Sequence, residues 1–193
     1  MKKLASAIIP TPHGDFRVTS YAEHDDDRMP HLAIAHPEMD PEATPLVRVH
    51  SECFTGDVLG SKRCDCGEQL ELALDLMQKE KGVVLYLRQE GRGIGLTNKL
   101  KAYNLQDQGF NTIDANHQLG FHADARTYDI ASYMLKDLGV NSIRLLTNNP
   151  LKIEGLEQGG IEVSERRPIK IEPNEQNATY LDTKRDLMGH MLD

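Results

Sequence analysis

Cysteine is scarce in this chain, with three among 193 residues. An odd number cannot pair completely, and a reducing cytosol would keep all three as thiols, so a disulfide framework is disfavoured. Long apolar runs are lacking too. None approaches the roughly 20 residues that a membrane-spanning helix needs. The opening "MKKLASAIIPTPHGD" is interrupted by Pro10 and Pro12 before a signal-peptide core of roughly 7–15 apolar residues could form. The expected location is cytoplasmic, with no membrane partner. Basic excess is also missing. Lys and Arg number 22 against 30 Asp and Glu, a net charge of −8. General nucleic-acid binding, which needs a basic surface to displace counterions, is therefore disfavoured. A small anion is not excluded, because a local arginine cluster can make a positive pocket on an acidic protein.

Repeats, low-complexity tracts and linkers are absent as well. The length suits one domain over residues 1–193, and 39% hydrophobic and 27% charged content allow a real core.

The first fifty residues read as β-rich. "DFRVTSY" (15–21), "HLAIAH" (31–36) and "PLVRVH" (45–50) are short apolar or alternating runs between turn-forming stretches, a spacing that predicts antiparallel strands. From Gly67 the period changes. Leu70, Ala73, Leu74 and Met77 recur at helical spacing, and Gly82 stands where a helix cap belongs. "VVLYL" (83–87) and "SIRLLT" (142–147) read as buried strands. Helices are expected over 98–108, over about 124–138 with Ile130, Ala131, Met134, Leu135 and Leu138 on one face, and after Pro150. The polar "YLDTKRDLMGHMLD" at the C-terminus would lie on the surface as a helix. The fold class expected is α/β: a mixed sheet covered by helices, with a β-rich N-terminal portion.

All three cysteines fall within "HSECFTGDVLGSKRCDCGEQ" (50–69). Cys53, Cys64 and Cys66 form C-x10-C-x-C. Thiolates suit Zn²⁺, and three protein ligands with an open fourth position are the catalytic rather than the structural arrangement. His50 could close the site as a fourth ligand. Ordinary buried thiols are the plain alternative, made less attractive by the polar neighbours Arg63 and Asp65. "HSE" invites comparison with zinc deaminases, but the P-C-x-x-C that should follow it is missing.

"RQEGRGIGLTNK" (88–99) leaves a predicted strand and enters a helix. Glycines there let backbone N–H groups approach an anion, and Arg88, Arg92, Lys99 and Lys101 add positive charge. It matches neither the Rossmann fingerprint nor the P-loop, and "GDVLGSK" (56–62) misses the P-loop by spacing. "TNNP" (147–150), with Lys152 beyond, ends the second buried strand, where ligands of α/β sheets bind. "HADAR" (122–126) puts Asp124 and Arg126 at a helix start, where Asp124 read alone is an N-cap.

Together these residues resemble GTP cyclohydrolase II, which opens the purine ring of GTP to begin riboflavin synthesis. The resemblance rests on "RVHSEC" (48–53), "RCDCGEQL" (63–70), "RQEGRGIGL" (88–96), "KAYNLQDQG" (101–109), "DANHQLGF" (114–121), "LLTNNPLK" (145–152) and the terminal "YLDTK…MGH", in order. It implies a catalytic zinc on Cys53, Cys64 and Cys66. It implies GTP contacts from Arg48, Val49, His50, Ser51, Glu52, Gln69, Glu90, Gly91, Arg92, Thr112, Thr147 and Lys152. Asp124 falls at the family's proton acceptor, Arg126 at its nucleophile, and Tyr103 at its tyrosine near the reacting ring. Mg²⁺ with the triphosphate and a homodimer are further implications. A second, fused synthase domain, present in some members, is not expected within this length.

Overall fold

The computed structural model describes residues 1–122, 124, 126–177, 182, 185–186 and 189–191. Seven strands form one mixed sheet: β1 (Lys2–Thr11), β2 (Gly14–Ala22), β3 (His31–Ala35), β4 (Leu46–Ser51), β5 (Val83–Leu87), β6 (Ser142–Leu146) and β7 (Glu162–Arg167). Their order across the sheet is β1-β2-β3-β5-β4-β6-β7. Pairing is antiparallel from β1 through β3 to β5, and parallel from β5 through β4 and β6 to β7. Among the described residues six α-helices accompany the sheet: α1 (Phe54–Asp57), α2 (Cys66–Glu80), α3 (Gly95–Gln106), α4 (Thr112–Gln118), α5 (Asp129–Asp137) and α6 (Pro150–Gln158).

The sheet has a core on each face. Ala73 and Met77 of α2 pack with Phe16, Leu46, Val84 and Leu146 on one side. Ala131, Met134 and Leu135 of α5 and Leu156 of α6 pack with Val47, Val49, Val83, Leu85, Ile143 and Leu145 on the other. Alternate residues of β4 and β5 thus feed opposite cores, as period-two strands covered on both faces must.

Several expectations need correction. β4 is the central parallel strand rather than one of an antiparallel set, and five of its six residues are buried, Arg48 and His50 included. An alternating run cannot reveal its partner's direction. β1 was hidden by Pro10, but it is an edge strand, with Pro10 opposite Asp15 near its hairpin turn, and an edge can spare an N–H. β7, "EVSERR", is largely exposed and carries too few apolar residues to announce itself. α4 is a short helix held by Asn111, whose side chain accepts the N–H groups of Ile113 and Asp114, both at 2.9 Å. α2 turns left-handed at Lys81 (φ 53°), one residue before Gly82. α5 starts at Asp129, so Asp124 lies in the loop ahead of it and is not an N-cap. Most of the C-terminal helix expected over 180–193 lies outside the described residues.

Candidate active site

β5 and β6 flank β4 and run parallel to it, and the carboxyl ends of such strands are the usual place for a ligand. A cleft of about 1090 Å³, measured out to its open mouth, lies there.

One wall holds the cysteines. Cys53 precedes α1 and Cys66 opens α2, so two sulfurs stand at helix starts, where the dipole favours thiolate. The three sulfurs lie within 4.8 Å of one another, and Cys53 and Cys64 are 3.7 Å apart. Tetrahedral zinc with Zn–S of about 2.3 Å would set its sulfurs about 3.8 Å apart, so the donor set fits zinc. Gly56 is what allows the convergence: a Cβ there would meet the Cys64 sulfur at 3.0 Å and the Cys53 sulfur at 3.1 Å. His50 is not among the residues whose ligand atoms converge there, and its Nε2 faces Asp57 at 3.1 Å. The structure therefore does not bring the proposed fourth ligand to the three sulfurs.

Hydrogen bonds from Cys64 and Cys66 hold the Cys53 thiol far below its ordinary pKa despite burial, aided by the charge of Lys99. Cys64, donating to Cys53, is pushed up. The Lys99 ammonium lies 3.0 Å from the Cys53 sulfur and 2.9 Å from Glu90 Oε1. Burial lowers its pKa, but Cys53 and Glu90 outweigh that and keep it cationic. Glu90 Oε2 also accepts the N–H of Phe54 at 2.6 Å, which ties the glycine–arginine turn to the cysteine wall. In that turn Gly91 and Arg92 are both left-handed, with φ of 63° and 62°. A left-handed arginine is strained, and here it faces the cleft. Tyr103 completes this wall, with the Arg63 guanidinium 4.5 Å from its ring centre and the Lys99 ammonium 5.8 Å away.

Arg48 forms part of the floor. It donates to Leu146 O at 3.1 Å and to Gln69, whose amide reaches Asp65. Burial lowers its pKa, with Asp65 opposing. Lys152 is equally buried and donates to Val49 O at 2.6 Å. Thr147 Oγ1 accepts the N–H of Asn149, which caps α6 through Leu151 N at 3.0 Å. His50 is kept neutral by burial and by the charges of Arg48 and Lys152, against the pull of Asp57.

Arg126 reaches the cleft from the loop before α5. Its backbone N–H, Nε and NH2 all donate to Asp124, at 3.0 Å and 2.8 Å for the first two, and NH1 lies 3.3 Å from Ser51 Oγ. Asp124 stays below the usual carboxylate range: burial would raise it, but Arg126 outweighs that, with help from Arg92.

The cleft thus gathers Arg48, His50, Ser51, Glu52, the three cysteines, Gln69, Glu90, Gly91, Arg92, Tyr103, Thr112, Arg126, Thr147 and Lys152. Two expected residues stand apart. Val49 points into the core and offers only its carbonyl, and Asp124 sits behind Arg126. Arg88 turns away as well, pairing with Glu52 at 2.8 Å and with Pro30 O at 3.1 Å. Sequence reading missed Gln89, Asn116 and His190 in the lining, and Asp57 beneath it. Of the terminal motif, His190 returns to the cleft, while residues 180, 181, 183, 184 and 188 lie outside the described ones. The spacing of Cys53 and Asp57, one helical turn, was the available signal for Asp57.

Fold and site define a class: an α/β protein with three cysteines able to hold a metal ion beside a cation-lined cleft at the carboxyl ends of parallel strands. The family model for GTP cyclohydrolase II matches residues 2–168. The chain is 51% identical over 197 positions to GTP cyclohydrolase-2 of Shigella boydii, covering 100% of this chain and 98% of that protein. It is 54% identical over 187 positions to the Campylobacter fetus protein of the same name, covering 97% and 94%. It is also 54% identical over 193 residues to the riboflavin biosynthesis protein RibBA of Chlorobium phaeovibrioides, of whose length it spans 47%. The chain belongs to the GTP cyclohydrolase II family.

Proposed function

We propose that this chain opens the guanine imidazole ring of GTP with zinc on Cys53, Cys64 and Cys66, releasing formate and pyrophosphate. The ring opening itself, a hydrolase step of riboflavin biosynthesis, follows from family membership. The observation that carries the metal reading is the convergence of three sulfurs at zinc-compatible distances beside the cleft. Zinc bound there would supply a Lewis acid that lowers the pKa of water.

The residues divide the remaining work. Glu52, paired with Arg88, would help orient or deprotonate the water near the cysteines. Tyr103, braced by Arg63, packs against the base. Arg48, Gln69 and His50 form the floor under it, with Ser51 beside them. Arg92, Lys152, Thr147, Thr112, Glu90 and the Gly91 backbone hold the triphosphate with Mg²⁺, and the cations stabilise charge on leaving pyrophosphate. Arg126 acts as a charged stabiliser of the phosphoryl group, aimed by Asp124. The resemblance implies instead a nucleophilic Arg126 with Asp124 as proton acceptor. A guanidinium bonded to a carboxylate through both Nε and NH2 is stabilised in its cationic form, however, and that makes it a poor nucleophile. A single cyclohydrolase domain, a homodimer and a cytoplasmic setting belong to the same reading. Among the described residues no helix is long and apolar enough to cross a membrane.

The test is formate and pyrophosphate release from GTP with Mg²⁺, with bound zinc recorded, for the intact protein and Cys64→Ser. Joint loss of zinc and formate in the variant is expected. An intact protein that holds zinc and binds GTP but yields no formate would sink the assignment.

A further inference from the structure

Asp57 plays no part in the site as derived so far, yet its side chain is 4% exposed and meets three partners. Its Oδ2 accepts the N–H of Cys53 at 3.0 Å and the O–H of Tyr86 at 2.8 Å. His50 Nε2 stands 3.1 Å from Oδ1 and 3.2 Å from Oδ2. The His50 ring is held in place by stacking on Tyr86, with ring centres 5.5 Å apart and planes 17° from parallel.

The roles at this junction follow from donor and acceptor counting. A backbone N–H can only donate, and the Tyr86 hydroxyl is kept protonated by burial and by Asp57 itself. Asp57 Oδ2 accepts both, and as a carboxylate the residue has no proton to give. The proton on the Asp57–His50 bond must belong to Nε2. A neutral imidazole protonated at Nε2 has a lone pair at Nδ1. That Nδ1 is buried and has no partner among the described residues, in a side chain that lines the cleft beside Arg48 and Gln69. A buried acceptor left without a donor is costly, and a ligand donor would remove the cost.

We propose that Asp57 is a positioning residue that fixes the tautomer of His50, so that Nδ1 is presented as a hydrogen-bond acceptor to an N–H or O–H of the nucleotide's base or ribose. This rests on the nucleotide reading of the cleft. Phosphate oxygens have no proton to offer Nδ1, so the device sorts the base and ribose end of the ligand from its triphosphate end. Asp57 also holds the Cys53 backbone, which couples the recognition of that end to the cysteine wall.

The substitution Asp57→Asn tests polarity with almost no change of volume. The amide oxygen can still accept from Cys53 and Tyr86, while its NH2 now donates to His50 Nε2. That moves the imidazole proton to Nδ1 and turns the acceptor into a donor. With protein labelled at the imidazole nitrogens, ¹⁵N spectra assign the tautomer, and the His50 signals are identified by their loss in His50→Gln. In the unsubstituted holoprotein Nδ1 should be the unprotonated nitrogen, and its resonance should move upfield when a non-hydrolysable GTP analogue binds with Mg²⁺. Asp57→Asn should show the reversed tautomer, retain zinc, and bind the analogue at least tenfold more weakly.

A proton on Nδ1 in the unsubstituted protein overturns the proposal. So does a reversed tautomer with unchanged affinity, or analogue binding that leaves Nδ1 unmoved. The last needs no variant, so it decides the matter even if Asp57→Asn fails to fold. Failure of the unsubstituted holoprotein to bind the analogue at all would overturn the nucleotide reading, and the proposal with it.

Discussion

A Cβ carbon on Gly67 would stand 2.4 Å from the carbonyl oxygen of Gly56. The two glycines let the first turn of α2 lie directly on α1, and this contact brings Cys53, Cys64 and Cys66 together. Gly67→Ala cannot be accommodated by a side-chain rotation, because the clash is with backbone. The expected cost is about 1–3 kcal/mol of stability, with zinc lost out of proportion, since the sulfurs move apart before the sheet does. Thermal unfolding and metal analysis of the purified variant check this. Full zinc content in Gly67→Ala would contradict it.

The Lys99 ammonium, 3.0 Å from the Cys53 sulfur, would offset the negative charge that three thiolates accumulate when they hold a divalent ion. Lys99→Met keeps the stem and removes the charge. Zinc affinity should fall by roughly tenfold, the scale of outer-shell partners, measured by competition with a chelator. Lys99→Arg should recover part of the loss. Equal affinity in all three proteins would show that the contact is incidental.

Glu80 closes the far end of α2 onto the sheet, pairing with Arg144 at 2.9 Å and with Arg167. Burial would raise its pKa, but the two arginines outweigh this and lower it. A carboxyl with a depressed folded pKa stabilises the protein fully above its unfolded value, roughly 4.3. That stabilisation is lost as pH falls through the folded value. Glu80→Gln should therefore be less stable at pH 7 by about 1 kcal/mol, an estimate limited by partial exposure of the pair. The gap should close as pH falls through the lowered folded value in parallel urea titrations.

Much of this was legible in the residues. Hydrophobic period placed α2, α5, β5 and β6, because each presents an apolar face or run to a core. The cysteines, the glycine–arginine turn and "TNNP" were separable motifs whose convergence depends on parallel pairing around β4, which no local pattern encodes. The edges were harder to read. β1 and β7 gain their structure from one neighbour and solvent, so their sequences carry little apolar signal. Asp57 was harder to read for a different reason, because its spacing from Cys53 points to only one of its three partners. Its three donors come from His50, Cys53 and Tyr86, and Tyr86 is 29 residues away.

The pairing of Asp124 with Arg126 yields the sharpest statement about chemistry. Three N–H groups of one arginine converge on one carboxylate, and that carboxylate is held ionised. The two side-chain bonds, from Nε and NH2, stabilise the guanidinium in its cationic form, whose nitrogens have no free lone pair to offer phosphorus. What the geometry does supply is aim, because Asp124 fixes the plane of the group while NH1 reaches toward Ser51. Asp124→Asn should leave Arg126 charged but poorly held. Its kcat should fall by about 10²-fold, the range for losing one oriented donor at a reacting oxygen, while KM for GTP changes only a few-fold. Intact-mass spectra quenched during turnover should show no guanylyl group on the enzyme while pyrophosphate is still released. A covalent adduct that maps to Arg126 would reverse the assignment and make Asp124 the group that takes its proton.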